Sequence, residues 1–192
     1  MRKIKVAVLI SGNGSNLQAL IDACNSPDYP AEIALVISNK DNAYGLVRAK
    51  NANIATCIIS HRDFEGREDF DAAMHQKLLD ANIEIVCLAG FMRLLTPKFV
   101  EQWQGRMLNI HPSLLPAYKG LDTHARVLAS GESHTGATVH YVVAEMDAGE
   151  IILQQQIAIA PDDDASSLQQ KVHDIEHIIY PQALKIVASN HI

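Results

Sequence analysis

Short apolar runs alternate with amphipathic stretches along the first half of this chain, and this alternation restricts the fold more than any other feature. Runs that are apolar at every position fit strands buried on both faces, as in a parallel sheet covered by helices. Residues 70, 73, 74, 77 and 78 share one face at helical spacing. The predicted strands are residues 4–10, 33–37, 56–59, 85–88 and 106–110, and the predicted helices begin at Ser15, Ala43, Glu65 and Pro97.

The pattern changes after Pro116. Residues 136–143 and 150–159 are rich in β-formers and are joined by a short acidic turn, so we predict antiparallel strands added to the parallel sheet. Residues 165–188 predict one long helix, capped by the acidic segment 162–166 and interrupted at Pro181. The fold class is therefore α/β: one Rossmann-like domain over residues 1–192, with a parallel half (1–110) and a mixed half (111–192).

Composition limits the kind of partner. A chain of 192 residues with 48% hydrophobic residues can bury one substantial core. Its net charge of -6, without a stripe of lysine and arginine, predicts small-molecule substrates and no nucleic acid. The apolar run after Met1–Lys3 is short, so we interpret it as a strand and not as an export signal. No run reaches the roughly 18 apolar residues of a spanning helix. We expect a cytoplasmic protein without a membrane partner.

Thiol and metal chemistry are not expected. Cys24, Cys57 and Cys87 are widely spaced among apolar residues, which predicts buried structural thiols. His173 and His177 would share a helix face. They lack the H-E-x-x-H spacing and a third ligand cluster, so we expect no metal.

The segment from Ser11 to Asn16 predicts an anion site. It follows the first strand and opens a helix, where free backbone N–H groups and the helix dipole favour a negative charge. Its glycines allow a phosphate to approach the backbone, and Ser15 and Asn16 can add hydrogen bonds. The segment is neither G-x-G-x-x-G nor a Walker loop, so a phosphate monoester fits better than a dinucleotide or a nucleoside triphosphate.

Asn109, His111 and Asp147 form the candidate catalytic group. The strand before Pro112 should place Asn109 and His111 on one side of a carboxyl sheet edge, where ligands bind in open α/β sheets. An imidazole works as an acid or base near neutral pH, and a nearby carboxylate stabilises its protonated form. The Asn109 amide can donate to an oxyanion.

Three separated motifs carry a family resemblance. N-I-H-P-S-L-L-P from position 109, G-N-G-S-N from position 12 and H-x-V-x-x-x-x-D-x-G from position 140 resemble phosphoribosylglycinamide formyltransferases, and the resemblance extends over the whole chain. It implies a formyltransferase fold and 10-formyltetrahydrofolate as co-substrate. It also implies direct formyl transfer to the amine of 5-phosphoribosylglycinamide in de novo purine biosynthesis, by a monomer or weak homodimer.

The resemblance assigns roles to individual residues. Asn109 and protonated His111 would stabilise the oxyanion, while Asp147 would support His111 and help relay the amine proton through water. Gly14, Ser15 and Asn16 would hold the substrate phosphate, and Glu176 would contact its ribose side. The folate residues would be Arg67, Met92, Arg93, Leu94, Leu95, Asn109, Val143, Ala144, Glu145, Met146 and Asp147.

Two regions depart from the family pattern. Lys119-Gly120 replaces the common Pro-Gly, and Asp122 stands where histidine is frequent, although His124 is retained. The chain also ends earlier than many relatives. The loop geometry around Lys119 and Asp122 is left open by the sequence. We expect the core chemistry to tolerate the earlier end of the chain, while stability or dimerisation is open to change.

Other activities share parts of these motifs. Formyltetrahydrofolate deformylases resemble the chain in the same Asn, His and Asp, but they transfer the formyl group to water and usually carry an amino-terminal regulatory domain. Methionyl-tRNA formyltransferases share S-L-L-P but normally need a carboxyl-terminal domain and a basic surface. A non-catalytic folate- or phosphate-binding module would keep the loops without needing His111 or Asp147.

Overall fold

The structure, a computed structural model, describes residues 2–191, and within this range seven strands form one mixed sheet. The strands are β1 (Ile4–Ile10), β2 (Ala31–Ser38), β3 (Ala55–Ile58), β4 (Ile85–Leu88), β5 (Met107–His111), β6 (His134–Tyr141) and β7 (Ile151–Ala158). Their order is β3-β2-β1-β4-β5-β6-β7. Neighbours from β3 to β5 are parallel, while β6 and β7 are added antiparallel. The predicted α/β sheet is confirmed.

Helices cover both faces of the sheet. They are α1 (Ser15–Cys24), α2 (Gly45–Asn51), α3 (Arg67–Asp80), α4 (Pro97–Gln102), α5 (Thr123–Ser130) and α6 (Ala165–Ser189). Helices α1, α2 and α6 contribute to one hydrophobic cluster, and α3 and α4 contribute to a second cluster. Strands β1 and β4 lie between these layers and are buried on both faces, which explains their continuous apolar sequences. Within residues 2–191, no helix has the length and apolar character needed to cross a bilayer.

The strand order reverses between β1 and β4. Strands β2 and β3 lie on one side of β1, and β4 and β5 lie on the other. A crevice forms outside the carboxyl ends of the strands at such a reversal. Leu9 is in register with Leu88, and Leu88 is in register with Asn109. The ends of β1, β4 and β5 therefore lie at the same level.

Helix α6 runs through Pro181, so the predicted interruption there is wrong. Proline removes one helical hydrogen bond. However, Tyr180, Ala183 and Leu184 beside it are fully buried, and Tyr29 Oη donates a 2.6 Å hydrogen bond to the Pro181 carbonyl. These tertiary contacts hold the helix together on both sides of the proline.

The structure differs from the sequence predictions at two further places. Helix α5 was not predicted from the sequence, because only Thr123 and Val127 of its eight residues are buried and the apolar pattern is weak. Cys87 is buried as predicted, but Cys24 and Cys57 are only half-buried. Burial raises the pKa of both Cys24 and Cys87 to about 12, which keeps these thiols protonated near neutral pH.

Candidate active site

The carboxyl end of β5 meets its antiparallel neighbour β6 at the candidate site. Asn109 lies opposite His140, and His111 lies opposite Thr138. Directly opposed residues of an antiparallel pair project to the same face. Accordingly, Asn109 Nδ2 lies 3.2 Å from His140 Nε2. The sequence motif from position 140 contains His140 but assigned it no role, because its place beside Asn109 follows from the strand register.

The bonding of His140 determines which end of the Asn109 amide it meets. His140 Nδ1 lies 2.8 Å from the Tyr141 carbonyl, which can only accept, so Nδ1 carries a hydrogen. Burial lowers the pKa of His140 and outweighs Asp147, whose Oδ1 lies 3.7 Å from Nε2. In the neutral ring Nε2 is an acceptor. Asn109 therefore donates one amide hydrogen to His140 and keeps its second N–H for a ligand.

His111 is engaged on both sides of its ring. Only 5% of this residue is exposed. Nε2 donates to the Tyr118 carbonyl at 2.9 Å, and Nδ1 lies 3.4 Å from Asp147 Oδ2. A carboxylate beside an imidazole nitrogen stabilises a proton there. These contacts bring the predicted histidine and aspartate together.

A tight turn between β6 and β7 positions Asp147. Asp147 has a positive φ of 50°, a conformation that aspartate tolerates better than most residues. A Cβ at Gly149 would lie 1.7 Å from the Tyr141 carbonyl oxygen, so only glycine lets the turn close this tightly. The Asp147 side chain is one-tenth exposed and accepts a 2.9 Å hydrogen bond from the Gly120 amide.

The loop of residues 117–122 contacts the candidate catalytic pair, His111 and Asp147, through its backbone. Tyr118 supplies the carbonyl that His111 contacts, and Gly120 supplies the amide that Asp147 contacts. Lys119, which departs from the family pattern, forms a 2.9 Å ion pair with Glu145. Asp122, the second departure, is the N-cap residue of α5. The altered loop therefore remains attached to the site.

The predicted phosphate turn lies at the carboxyl end of β1. Gly14, the N-cap residue of α1, has a φ of 76°. A Cβ at Gly14 would lie 2.7 Å from the Cα of Gly45, so the turn needs glycine for its conformation and for its packing. Ser15 and Asn16 open α1. The first N–H groups of an α-helix have no partner within that helix, so they are available to an anion.

Asn16 connects this turn to α6. Its Nδ2 donates a 2.8 Å hydrogen bond to Glu176 Oε2. Glu176 is 3% exposed, and burial raises its pKa to about 7, although the bond from Asn16 lowers it. The structure thus joins two residues that the sequence assigned to one substrate.

Three buried polar atoms near the turn and α6 have no partner within residues 2–191: Asn16 Oδ1, His124 Nδ1 and His177 Nε2. Such atoms are rare in folded proteins, and a polar ligand would satisfy them. The rings of His173 and His177 stack with centroids 6.3 Å apart, and burial lowers the pKa of both. Within residues 2–191, no group of three His, Cys, Asp or Glu side chains could hold a metal ion. The absence of a metal stays a prediction.

The two predicted folate loops both adjoin one hydrophobic cluster. Phe91 and Leu95 of the first loop and Val142, just before the second, pack against the same hydrophobic cluster. The Met92 amide donates to Ser11 Oγ at 2.8 Å, which ties the first loop to the phosphate turn. The large apolar side chains that are more than one-third exposed on these loops are Met92, Leu94, Val143 and Met146. Ala144 and Glu145 are exposed in the same turn.

Arg67 and Arg93 lie at the far end of the first loop. Arg67 is the exposed first residue of α3, and Asp71 follows one turn later. Asp71 Oδ2 accepts a 2.6 Å hydrogen bond from the Thr96 amide, which fixes the end of the loop. Arg93 Nε is buried and has no partner within residues 2–191.

Comparisons with known proteins identify the family. A model described as formyl transferase matches residues 4–184. The chain is 46% identical over 181 residues to phosphoribosylglycinamide formyltransferase of Haemophilus influenzae, which covers 94% of this chain and 85% of that protein. It is 50% identical over 188 residues to the trifunctional purine biosynthetic protein adenosine-3 of Homo sapiens. That match covers 98% of this chain and 19% of the human protein.

The chain spans only 14–19% of the length of the trifunctional relatives it matches. A solved phosphoribosylglycinamide formyltransferase from Coxiella burnetii has a TM-score of 0.94 and 47% identity, over 98% of this chain and 89% of that chain. The resemblance and the fold expected from the three motifs are both confirmed. The chain belongs to the formyl transferase family.

Proposed function

We propose that this chain transfers the formyl group of 10-formyltetrahydrofolate to the amine of 5-phosphoribosylglycinamide in de novo purine biosynthesis. The supporting observation is that one sheet edge carries both the Asn-His-Asp group and the phosphate turn. The row formed by Leu9, Leu88 and Asn109 spans two strand spacings, or about 10 Å. This matches the scale of a phosphoribosyl group extended by a short amide. The names of the bacterial relatives support the same activity.

The proposed reaction is direct acyl transfer. The amine nitrogen forms a bond to the formyl carbon, the bond from that carbon to N10 of the folate breaks, and the amine proton passes to the departing nitrogen. Asn109 donates its free N–H to the oxyanion that develops on the formyl oxygen. His111 donates its Nε2 hydrogen to the same oxygen after releasing the Tyr118 carbonyl.

Asp147 has two proposed roles. Its 3.4 Å contact with Nδ1 keeps His111 charged while His111 stabilises the oxyanion. Its carboxylate also accepts the amine proton through water and returns it to N10. Because the Gly120 amide already binds Oδ2, Oδ1 is the atom for this relay.

The binding roles follow the same geometry. In this proposal the exposed apolar side chains of Met92, Leu94, Val143 and Met146 receive the flat pterin ring, and Arg67 pairs with a folate carboxylate. Gly14, Ser15 and Asn16 hold the phosphate, and Glu176 contacts the ribose. We propose that residues 1–192 act as one cytoplasmic domain, as a monomer or weak homodimer, without a metal.

The test measures folate product from 10-formyltetrahydrofolate with and without phosphoribosylglycinamide. We expect amine-dependent turnover in the wild type and its loss in His111→Ala. His134→Ala is the matched control, because His134 is exposed at the other end of β6. Turnover that ignores the amine would make the protein a deformylase, and folate binding without turnover would make it a binding module.

A further inference from the structure

We propose that Arg48 on α2 is a positioning residue for the phosphate turn and the source of the positive charge that this turn lacks. This inference rests on the proposed function and extends it. Residues 11–16 contain no lysine or arginine, although a phosphate monoester carries up to two negative charges. We infer that Arg48 sets the affinity for the phosphate end of the substrate without taking part in formyl transfer.

Arg48 donates two hydrogen bonds to Asn13 of the turn. Its Nε donates to the Asn13 carbonyl at 3.0 Å, and its Nη2 donates to Asn13 Oδ1 at 3.0 Å. Nη1 reaches Gln18 Oε1 on α1 at 3.4 Å. The planar guanidinium thus links the turn to the helix that follows it. A lysine ammonium is a single point charge and cannot reproduce this fork.

Arg48 is itself fixed in place. The Tyr44 ring, one turn earlier on α2, lies 5.0 Å from the guanidinium carbon, within cation–π range. The start of α2 also packs directly on the turn, since the Gly45 amide donates to the Gly12 carbonyl at 3.1 Å. The turn and α2 therefore form one rigid unit, and Arg48 is its charged member.

The charge of Arg48 extends toward the predicted phosphate position. Burial is the main cause that lowers the pKa of His177, and the positive charges of His173 and Arg48 lower it further. His177 follows Glu176, the partner of Asn16, and both Asn16 and His177 carry a buried atom without a partner within residues 2–191. A phosphate bound there lies within the field of Arg48.

Two substitutions separate charge from geometry. Arg48→Lys keeps the charge and loses the fork, whereas Arg48→Met loses both. We expect KM for phosphoribosylglycinamide to rise by about tenfold in Arg48→Met, because this variant loses both the charge and the charge-assisted hydrogen bonds. The rise should be smaller in Arg48→Lys, which keeps the charge. We expect kcat and KM for 10-formyltetrahydrofolate to stay within about twofold.

The deciding measurement uses the dephosphorylated substrate, glycinamide ribonucleoside. If Arg48 acts on the phosphate, wild type and both variants use this substrate with equal kcat/KM. Arg106 supplies the matched control: it stacks on Trp103 at 4.8 Å and binds the Gln102 carbonyl, but it precedes β5 at the opposite sheet edge. Arg106→Lys and Arg106→Met should leave both substrates unaffected.

Two outcomes overturn the inference: equal losses with the phosphorylated and dephosphorylated substrates, or a fall in kcat alone. Binding of inorganic phosphate, measured by calorimetry on wild type and Arg48→Met, gives a readout that needs no turnover. Weaker phosphate binding in the variant would support the role of Arg48 even if formyl transfer were absent. Unchanged phosphate binding would refute that role whether or not the enzyme transfers formyl groups.

Discussion

Asn109 and His140 face each other across the antiparallel pair β5 and β6, with Asn109 Nδ2 3.2 Å from His140 Nε2. The Tyr141 carbonyl holds the other nitrogen of His140. This pair determines that the Asn109 amide presents nitrogen, not oxygen, to the site. The proposed oxyanion donor is therefore oriented before any substrate arrives, which is the condition under which such donors are most effective.

Removal of His140 should impair catalysis more than binding. In His140→Ala the Asn109 amide loses its acceptor, which costs about 1 kcal/mol for a neutral hydrogen bond. We expect kcat to fall about fivefold while KM for both substrates stays within twofold. Steady-state kinetics beside His134→Ala tests this, and a change confined to KM would contradict it.

The same pair predicts a pH dependence. Burial lowers the pKa of His140 from its usual 6.5, so the ring becomes charged only below that value. A protonated Nε2 can no longer accept from Asn109. We expect kcat to fall as the pH drops below 6.5 through the lowered pKa. Asp147 and His111 face the same ring. If kcat of His140→Gln still falls at acidic pH, the fall is due to Asp147 or His111 and not to His140.

Asn109→Ala should lower kcat more than His140→Ala does. Loss of an oxyanion donor typically costs 10²–10³-fold in kcat, or about 2.7–4 kcal/mol. We expect a loss in this range with the circular dichroism spectrum unchanged. A loss below tenfold in a folded variant would refute the oxyanion role.

Gly14→Ala should damage the phosphate turn. The φ of 76° disfavours any residue with a Cβ, and the new methyl group would lie 2.7 Å from the Gly45 Cα. We expect a loss of stability of about 1–3 kcal/mol and weaker binding of inorganic phosphate. Urea denaturation and calorimetry measure the two effects. Gly66→Ala is the control, because Gly66 lies outside the turn with a φ of -143° and nothing lies within 4 Å of a Cβ built there.

Glu176→Gln should change how stability depends on pH. Burial raises the folded pKa of Glu176 to about 7 from 4.5, so this group favours the folded state below pH 4.5 and loses that contribution as the pH rises to about 7. A shift of this size changes the free energy of unfolding by about 3 kcal/mol. We expect the variant to gain stability relative to wild type between pH 5 and pH 8, measured by urea denaturation. A difference that does not vary with pH would show that Glu176 is ionised throughout.

Local patterns predicted the parts of the site that depend on neighbouring residues. Alternation along one strand placed Asn109 and His111 together, and helix starts at Ser15 and Pro97 were right to the residue. The acidic cap of α6 was also right, since Asp164 accepts from the amides of Ser166 and Ser167.

Features that depend on distant contacts were not predictable. His140 acquires its role from pairing with a strand 31 positions away. The backbone bonds from the loop of residues 117–122 to His111 and Asp147 involve no side chain of the loop, so no residue type announces them. Pro181 remains within a helix because of its buried neighbours and Tyr29.

Leu9, Leu88, Asn109 and His140 form a continuous row across four neighbouring strands, and this row sets distances along the sheet. Interstrand hydrogen bonds fix the spacing between the end of β1, which leads into the proposed phosphate turn, and Asn109 at the proposed acyl-transfer centre. The site should therefore select substrates by length. If the linker between the amine and the phosphate is shorter or longer, the amine does not reach Asn109 when the phosphate is bound, however well either end binds alone.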